Sequence, residues 1–220
     1  MLTEAQARAL PVLCAGHFNL LTEEGRDPKR TGLYLENGTL LAELLRSHDV
    51  PLYLSGHLHT RIVLQEQGLT ELVTEYLLAY PTGYSMLDLT DDAITYTPRR
   101  VDVDAWAAQT GQKDRTLRQF SRWQQEQLQE YAEQNVRDMS RRNPLTPRKA
   151  RQAAAFFYAA MNAYWQGTLA DERQALLAMP GCEPFFRCAE GYAYEWWLRD
   201  LIDNASPQLG GFTIPIQKGE

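Results

Sequence analysis

The sequence has few cysteines, no long apolar run and no excess of positive charge, and each shortage excludes a class of protein. Three cysteines in 220 residues, at positions 14, 182 and 188, are too few and too scattered for a disulfide scaffold or a zinc ribbon. No apolar stretch approaches the roughly 20 residues that a membrane-spanning helix needs. The net charge of −6 argues against a sequence-blind nucleic-acid binder, which would carry a basic surface. We therefore expect neither a membrane nor a nucleic acid as partner.

Charge and tryptophan content divide the chain into two regions. Residues 1–103 contain 8 Lys and Arg against 14 Asp and Glu, whereas residues 104–220 contain 14 of each and all five tryptophans. We predict a boundary there, with an α/β region over 1–103 and a helical extension over 104–220. The first residues lack the basic and apolar stretches of an export signal, so we expect a cytoplasmic protein.

The apolar pattern supports this α/β prediction with a helical C-terminal extension. Short apolar runs in the first region predict strands, and a helical spacing of leucines predicts one helix between the first two strands. The strands are predicted at 10–15, 51–55, 60–64, 71–77, 85–89 and 93–96, and the helix at 37–48. The second region has helical periodicity throughout. Its predicted helices span 117–139, 147–166, 171–179 and 185–204.

Three of the four histidines directly follow predicted buried strands. His17 follows the strand at 10–15 in the sequence Ala-Gly-His-Phe-Asn, and His57 and His59 follow the strand at 51–55 in Ser-Gly-His-Leu-His-Thr. Ligands bind at the carboxyl ends of strands in open α/β sheets, and neutral imidazole suits divalent transition metals. The pattern predicts three converging imidazoles, with two unrelated surface histidines as the alternative for His57 and His59. His48 is predicted to cap a helix or lie on the surface.

These residues resemble a known family. Gly56-His57-Leu58-His59, about forty residues after His17-Phe18-Asn19, is similar to the last two motifs of the calcineurin-like metallophosphoesterases, over residues 8–104. The resemblance implies the C-terminal half of an α/β/β/α sandwich that hydrolyses phosphomonoesters or phosphodiesters at a two-metal centre. It implies His17 and His57 as ligands of one metal and His59 as ligand of the other. The metals would be Mn, Zn, Fe or Ni, and the substrate a phosphoester.

The chain also departs from that family. The family's bridging aspartate, asparagine ligand and assisting histidine precede the position of His17, and the first sixteen residues contain none of them. We therefore interpret the chain as a truncated or split reading frame, an isolated domain or a degenerate relative. Three neutral imidazoles cannot offset the repulsion between two dications, so the chain alone is expected to be inactive.

The interpretation as half a domain predicts an incomplete surface. We expect an open sheet edge beside the strands at 10–15 and 51–55, and a shallow histidine site exposed to solvent. An open edge favours pairing with the missing N-terminal half or with a second copy. The alternative function is a non-catalytic interaction protein whose helical tail binds a partner or a second copy.

Overall fold

The structure is a computed structural model that describes residues 1–8, 10–22, 34–205 and 210–216. Contacts divide the described residues into two compact units. The first unit contains the residues up to Leu77, residues 83–100 and residues 210–216, and the second contains residues 78–82 and 101–205. The first unit has two sheets and the second is helical, which confirms a mixed α and β protein with a helical C-terminal part.

The first unit contains seven strands and two helices within the described residues. In chain order these are α1 Leu2–Ala7, β1 Leu13–Ala15, α2 Gly38–Arg46, β2 Leu52–Ser55, β3 Ile62–Glu66, β4 Leu69–Val73, β5 Gly83–Leu89, β6 Ala93–Arg100 and β7 Phe212–Pro215. Six strands and α2 correspond to predicted elements. The sequence pattern missed α1 and β7.

The strands form one mixed sheet and one antiparallel sheet. The first sheet has the order β1-β2-β4-β3, in which β1, β2 and β4 run parallel and β3 is antiparallel to β4. The second sheet has the order β5-β6-β7 and is antiparallel throughout. The three parallel strands therefore end at the same edge of the first sheet, where their carboxyl ends carry Gly16, Gly56 and Thr74.

Apolar side chains on both faces of the first sheet hold this unit together. On one face, Leu52 and Leu72 pack in one buried cluster with residues of the second sheet, which are Ile94, Tyr96 and Ile214. On the other face, Tyr53 and Leu69 pack with residues of α2, which include Ala42 and Leu45. Helix α2, the first sheet and the second sheet thus form three layers. Successive side chains of β2 point to opposite faces, so Leu52 packs toward the second sheet and Tyr53 toward α2.

Strand β1 is an edge of the first sheet within the described part of the chain. It is only three residues long, and Leu13 in it is 36% exposed. The neighbouring Leu10 and Phe18 are 47% and 40% exposed. Three exposed apolar side chains thus lie on or beside this edge strand.

The second unit consists of helices around an aromatic core. They are α3 Val103–Gln109, α4 Phe120–Met139, α5 Pro147–Gln166, α6 Leu169–Leu177, α7 Cys182–Cys188 and α8 Ala193–Asp203. Thr146 caps α5 through its side chain and Gly167 ends it in a left-handed conformation with φ of 70°, as the sequence predicted. The predicted single helix over 185–204 is wrong, because the chain turns at Gly191, whose φ is 77°, between α7 and α8.

The core of this unit is built on α5 and α7. Phe156 and Phe157 of α5 are fully buried, and the ring of Phe185 in α7 lies 5.4 Å and 4.9 Å from theirs.

No helix in the described part of the chain has both the length and the apolar character of a membrane span.

Candidate functional site

The candidate site lies at the carboxyl ends of β1 and β2. These strands are parallel neighbours, with Ala15 paired to Leu54, so the residues that follow them emerge side by side. Gly16 and His17 follow β1, and Gly56 and His57 follow β2. The topology therefore brings together two histidines that are 40 positions apart in sequence.

Backbone hydrogen bonds hold the two histidine loops together beyond the end of the ladder. The carbonyl of His17 accepts from the backbone N–H of Gly56 at 3.2 Å and of His57 at 2.9 Å. Gly16 permits this path because a Cβ there would lie 2.1 Å from the hydroxyl oxygen of Tyr53. That hydroxyl in turn donates to the carbonyl of Phe18 at 3.0 Å. The loops are thus positioned by the sheet and not by the imidazoles.

The imidazoles of His17 and His57 are in direct contact. Nε2 of His17 lies 2.9 Å from Nδ1 of His57, so one ring nitrogen donates a hydrogen bond to the other. The ring centroids are 4.8 Å apart and the planes are nearly perpendicular, at 84°. The ring of Phe18 lies 4.5 Å from that of His57 and provides an apolar wall on one side. His17 is exposed and His57 half-buried, so the pair is open to solvent.

His59 adopts a different environment from the pair. Its backbone has a φ of 58°, and its ring stacks on Tyr76 with a centroid distance of 4.6 Å and an interplanar angle of 13°. Among the residues that the structure describes, no group of three or more His, Cys, Asp or Glu side chains is arranged to hold a metal ion. The expected convergence of three imidazoles is therefore realised as a contact between two, and the role of His17, His57 and His59 as metal ligands stays a prediction.

Two of the histidines have lowered pKa values. Burial lowers the pKa of His57, and the neighbouring His17 and His59 lower it further. Burial also lowers the pKa of His59, with a smaller contribution from His17. Both shifts favour the neutral imidazole, which is the form that binds metals.

The chemistry of the pair fits a divalent transition metal. Two nitrogens that bind one tetrahedral zinc at about 2.0–2.1 Å are about 3.3 Å apart. The nitrogens of His17 and His57 are 2.9 Å apart and point at each other, so both rings would have to tilt, and the proton between them would have to move to another nitrogen, before both could bind one ion. A site with two imidazoles leaves further coordination positions for water or substrate, and such a site is expected to be weak.

The lowered pKa values predict how zinc binding depends on pH. Protons compete with the metal for the imidazoles, so the affinity for zinc should rise with pH. Because the pKa of His57 is lowered, the midpoint of this rise should lie below the ordinary histidine pKa of 6.5. In the metal-free chain the unfolded state binds more protons between that lowered pKa and 6.5, so the free energy of unfolding should decrease as pH falls through this interval. Zinc titrations from pH 5 to 8, with parallel urea unfolding, measure both. A midpoint above 6.5 would contradict this assignment.

The fourth histidine is separate from the site. Nδ1 of His48 lies 3.0 Å from the carbonyl oxygen of Leu44 at the end of α2. His48 therefore caps a helix end, which was one of the two roles that its position predicted.

Glu71 is a residue of this region that sequence reasoning missed. It lies in β4, has no solvent exposure, and accepts hydrogen bonds from Asn19, Leu20, Leu21 and Ser55. Burial raises the pKa of its carboxyl group, and hydrogen bonds from Ser55, Leu21, Leu20 and Asn19 oppose that effect. The available signal was a charged residue inside a mostly apolar strand, since a buried carboxylate requires dedicated donors.

One family model is similar to the helical part of the chain. Residues 102–206, slightly less than half of the chain, match the family model described as the C-terminal domain of cyclic nucleotide phosphodiesterase. A search of curated proteins finds no match. The matched segment contains the six α-helices described for the second unit, α3 to α8.

This match corrects the family assignment made from sequence. The matching model is not that of a calcineurin-like metallophosphoesterase, so the assignment of the chain to that family is wrong. That assignment depended on motifs a few residues long within 8–104, whereas the match covers 105 consecutive residues, 102–206. Short glycine-histidine motifs carry less family information than a match of this length. A relationship to phosphodiesterases, and so to phosphoester hydrolysis in general, is what the match supports.

Proposed function

We propose that this chain takes part in phosphodiester hydrolysis and that His17, His57 and His59 bind divalent metal there. The observation that carries the proposal is the contact between the imidazoles of His17 and His57, 2.9 Å apart at the ends of two parallel strands. Two pieces of support come from different parts of the chain. The histidine geometry suits a metal, and residues 102–206 match a domain named for cyclic nucleotide phosphodiesterase.

The residues of the site have separable roles in this proposal. A divalent ion such as Mn, Zn, Fe or Ni, when bound, would polarise a phosphoryl oxygen. His17 and His57 supply nitrogen ligands from loops that the sheet holds in place. His59, which stacks on Tyr76, supplies a third imidazole once its ring turns from that contact. Phe18 lies against the His57 ring and limits the access of water on that side.

The same geometry leads us to expect weak catalysis by the chain alone. Clamping both the attacking and the departing oxygen needs two ions about 4 Å apart, and an anionic group must lie between them. The described residues do not place a carboxylate with the imidazoles as a metal-binding group. A single, weakly held ion is what these residues can support.

The test is hydrolysis of bis-p-nitrophenyl phosphate by the purified chain in the presence of Mn²⁺, Zn²⁺ or Ni²⁺. We expect turnover close to the background of the free ion, and specific binding of the ion without catalysis. Turnover well above background that His57→Ala abolishes would contradict the expectation of weak catalysis and support the site. Turnover well above background that His57→Ala leaves unchanged, or the absence of any ion binding, would contradict the proposal.

A second candidate function is a non-catalytic interaction protein, which the edge position of β1 favours. Unpaired backbone groups on an edge strand pair readily with another chain, and exposed Leu13 adds apolar surface. We expect the chain to self-associate at micromolar concentration and Leu13→Lys to weaken that association. Sedimentation velocity measures it, with Leu40→Lys, at a 65% exposed leucine of α2, as the matched control. A monomer at all concentrations, or equal effects of both variants, would exclude pairing through β1.

A further inference from the structure

The buried carboxylate of Glu71 connects the two histidine loops. One oxygen, Oε1, accepts from Nδ2 of Asn19 at 3.0 Å, from the backbone N–H of Leu20 at 3.1 Å and from the hydroxyl of Ser55 at 2.5 Å. The other, Oε2, accepts from the backbone N–H groups of Leu20 at 3.0 Å and Leu21 at 2.5 Å. Both oxygens are therefore fully engaged by donors.

These donors belong to the two segments that carry the histidines. Asn19, Leu20 and Leu21 directly follow His17 and Phe18, and Ser55 directly precedes Gly56 and His57. Nδ2 of Asn19 also donates to the hydroxyl of Ser55 at 3.1 Å, which closes the connection between the segments. A single side chain from a third strand thus holds the end of the first loop and the start of the second.

We propose that Glu71 is a positioning residue that sets the separation of the His17 and His57 imidazoles and thereby the affinity of the site for a divalent metal. The metal part of this inference rests on the proposed function, whereas the imidazole separation does not. Glu71 acts through the backbone of residues 19–21 and through Ser55. Hydrogen-bonded groups behind metal-binding histidines commonly contribute about 10- to 100-fold to metal affinity.

The substitution Glu71→Gln isolates this role with little change of shape. In glutamine one of the two carboxylate oxygens is replaced by an NH₂ group. One hydrogen-bond acceptor therefore remains, and the other position becomes a donor. If the amide keeps its oxygen beside Ser55 and Asn19, its nitrogen faces the N–H groups of Leu20 and Leu21, and two donors repel each other. The loop after His17 then moves while the Ser55 side stays in place. The reverse orientation instead displaces Ser55 and the start of the His57 loop.

The control must lose stability without touching the histidine loops. Ile94→Ala removes a buried side chain from the interface of the two sheets in the same unit. Ser55→Ala provides a milder perturbation of the network, because it removes one donor to Glu71 and one acceptor of Asn19 and leaves the carboxylate in place. Urea unfolding of each variant shows that the comparison is made on folded protein.

Two measurements test the inference on the full chain. Calorimetric titration with Co²⁺ alone should show affinity lowered about 10- to 100-fold in Glu71→Gln and unchanged in Ile94→Ala. In the metal-free chain, ¹⁵N–¹H correlation of the imidazoles should show the hydrogen bond between His17 and His57 in the wild type and in Ile94→Ala, and its loss in Glu71→Gln. If Glu71→Gln does not fold, Ser55→Ala should show a smaller loss of the same kind.

The outcomes separate this inference from the proposed function. Absence of Co²⁺ binding by the wild type overturns the proposed metal site, and the imidazole correlations then decide the positioning role alone. Equal effects of Glu71→Gln and Ile94→Ala on both measurements would show that Glu71 contributes only general stability and would overturn the inference. An intact imidazole hydrogen bond in folded Glu71→Gln, or in Ser55→Ala where that variant replaces it, would overturn it as well.

Discussion

Replacing His17, His57 and His59 together by alanine is expected to abolish Zn²⁺ binding by the chain. The nitrogens of His17 and His57 are 2.9 Å apart, and His59 is close enough to both to affect the electrostatics of the group. Removing all three leaves no imidazole at this edge of the sheet, so calorimetric heat should fall to the level of dilution. The single variant His57→Ala should remove most of the affinity for Zn²⁺. It takes away one imidazole of the only two histidine side chains that are in direct contact within the described residues.

The fourth histidine provides the matched control for this experiment. His48 lies at the end of α2, where Nδ1 contacts the carbonyl of Leu44, so His48→Ala removes an imidazole without touching the site. We expect His48→Ala to bind Zn²⁺ as the wild type does. Retained binding in the triple variant would show that the metal is held elsewhere and would refute the assignment of the three histidines.

Gly181→Ala is expected to destabilise the helical unit strongly. Gly181 precedes α7 where that helix packs against α5, and a Cβ added there would lie 1.8 Å from the carbonyl oxygen of Gln152 and 2.9 Å from Cβ of Phe156. The first of these atoms belongs to the backbone of a long helix, so it cannot move aside by a side-chain rotation. Forced overpacking of this kind costs about 1–3 kcal/mol and sometimes more. Urea unfolding, followed by the fluorescence of the tryptophans of this unit, measures the loss.

The control separates the close contact from the general effect of replacing a glycine. Gly210 has nothing within 4 Å of an added Cβ and no positive φ, so Gly210→Ala should change the free energy of unfolding by less than about 0.5 kcal/mol. Equal, small effects of the two substitutions would show that α7 does not pack as closely on α5 as the structure has it.

Local sequence signals determined many of the elements correctly. The side chain of Thr146, proline at position 147 and glycine at position 167 mark the ends of α5, because capping depends on residues within a few positions. The aromatic run after Phe185 was misleading, because continuous apolar character does not show where a helix breaks. Gly191 adopts the left-handed conformation that separates α7 from α8.

Elements that depend on distant partners could not be predicted from local signals. Strand β7 pairs with β6, which lies more than 110 positions earlier in the sequence, and Thr95 is opposite Thr213. The pattern of a four-residue segment does not indicate so distant a partner. The similarity of the helical region to a known domain was missed for a related reason, since its residues carry packing patterns but no short catalytic motif.

The sequence by itself determined that His17 and His57 follow buried strands, because an apolar run that ends in Gly-His is a local pattern. Only the tertiary structure decided that they touch, since the parallel pairing of β1 and β2 brings their carboxyl ends together. It also decided that His59 stacks on Tyr76, a residue that follows a third strand. Glu71 shows the same division, because its charge is visible in the sequence, while its four donors come from segments 16 to 52 positions away that meet only in the folded sheet.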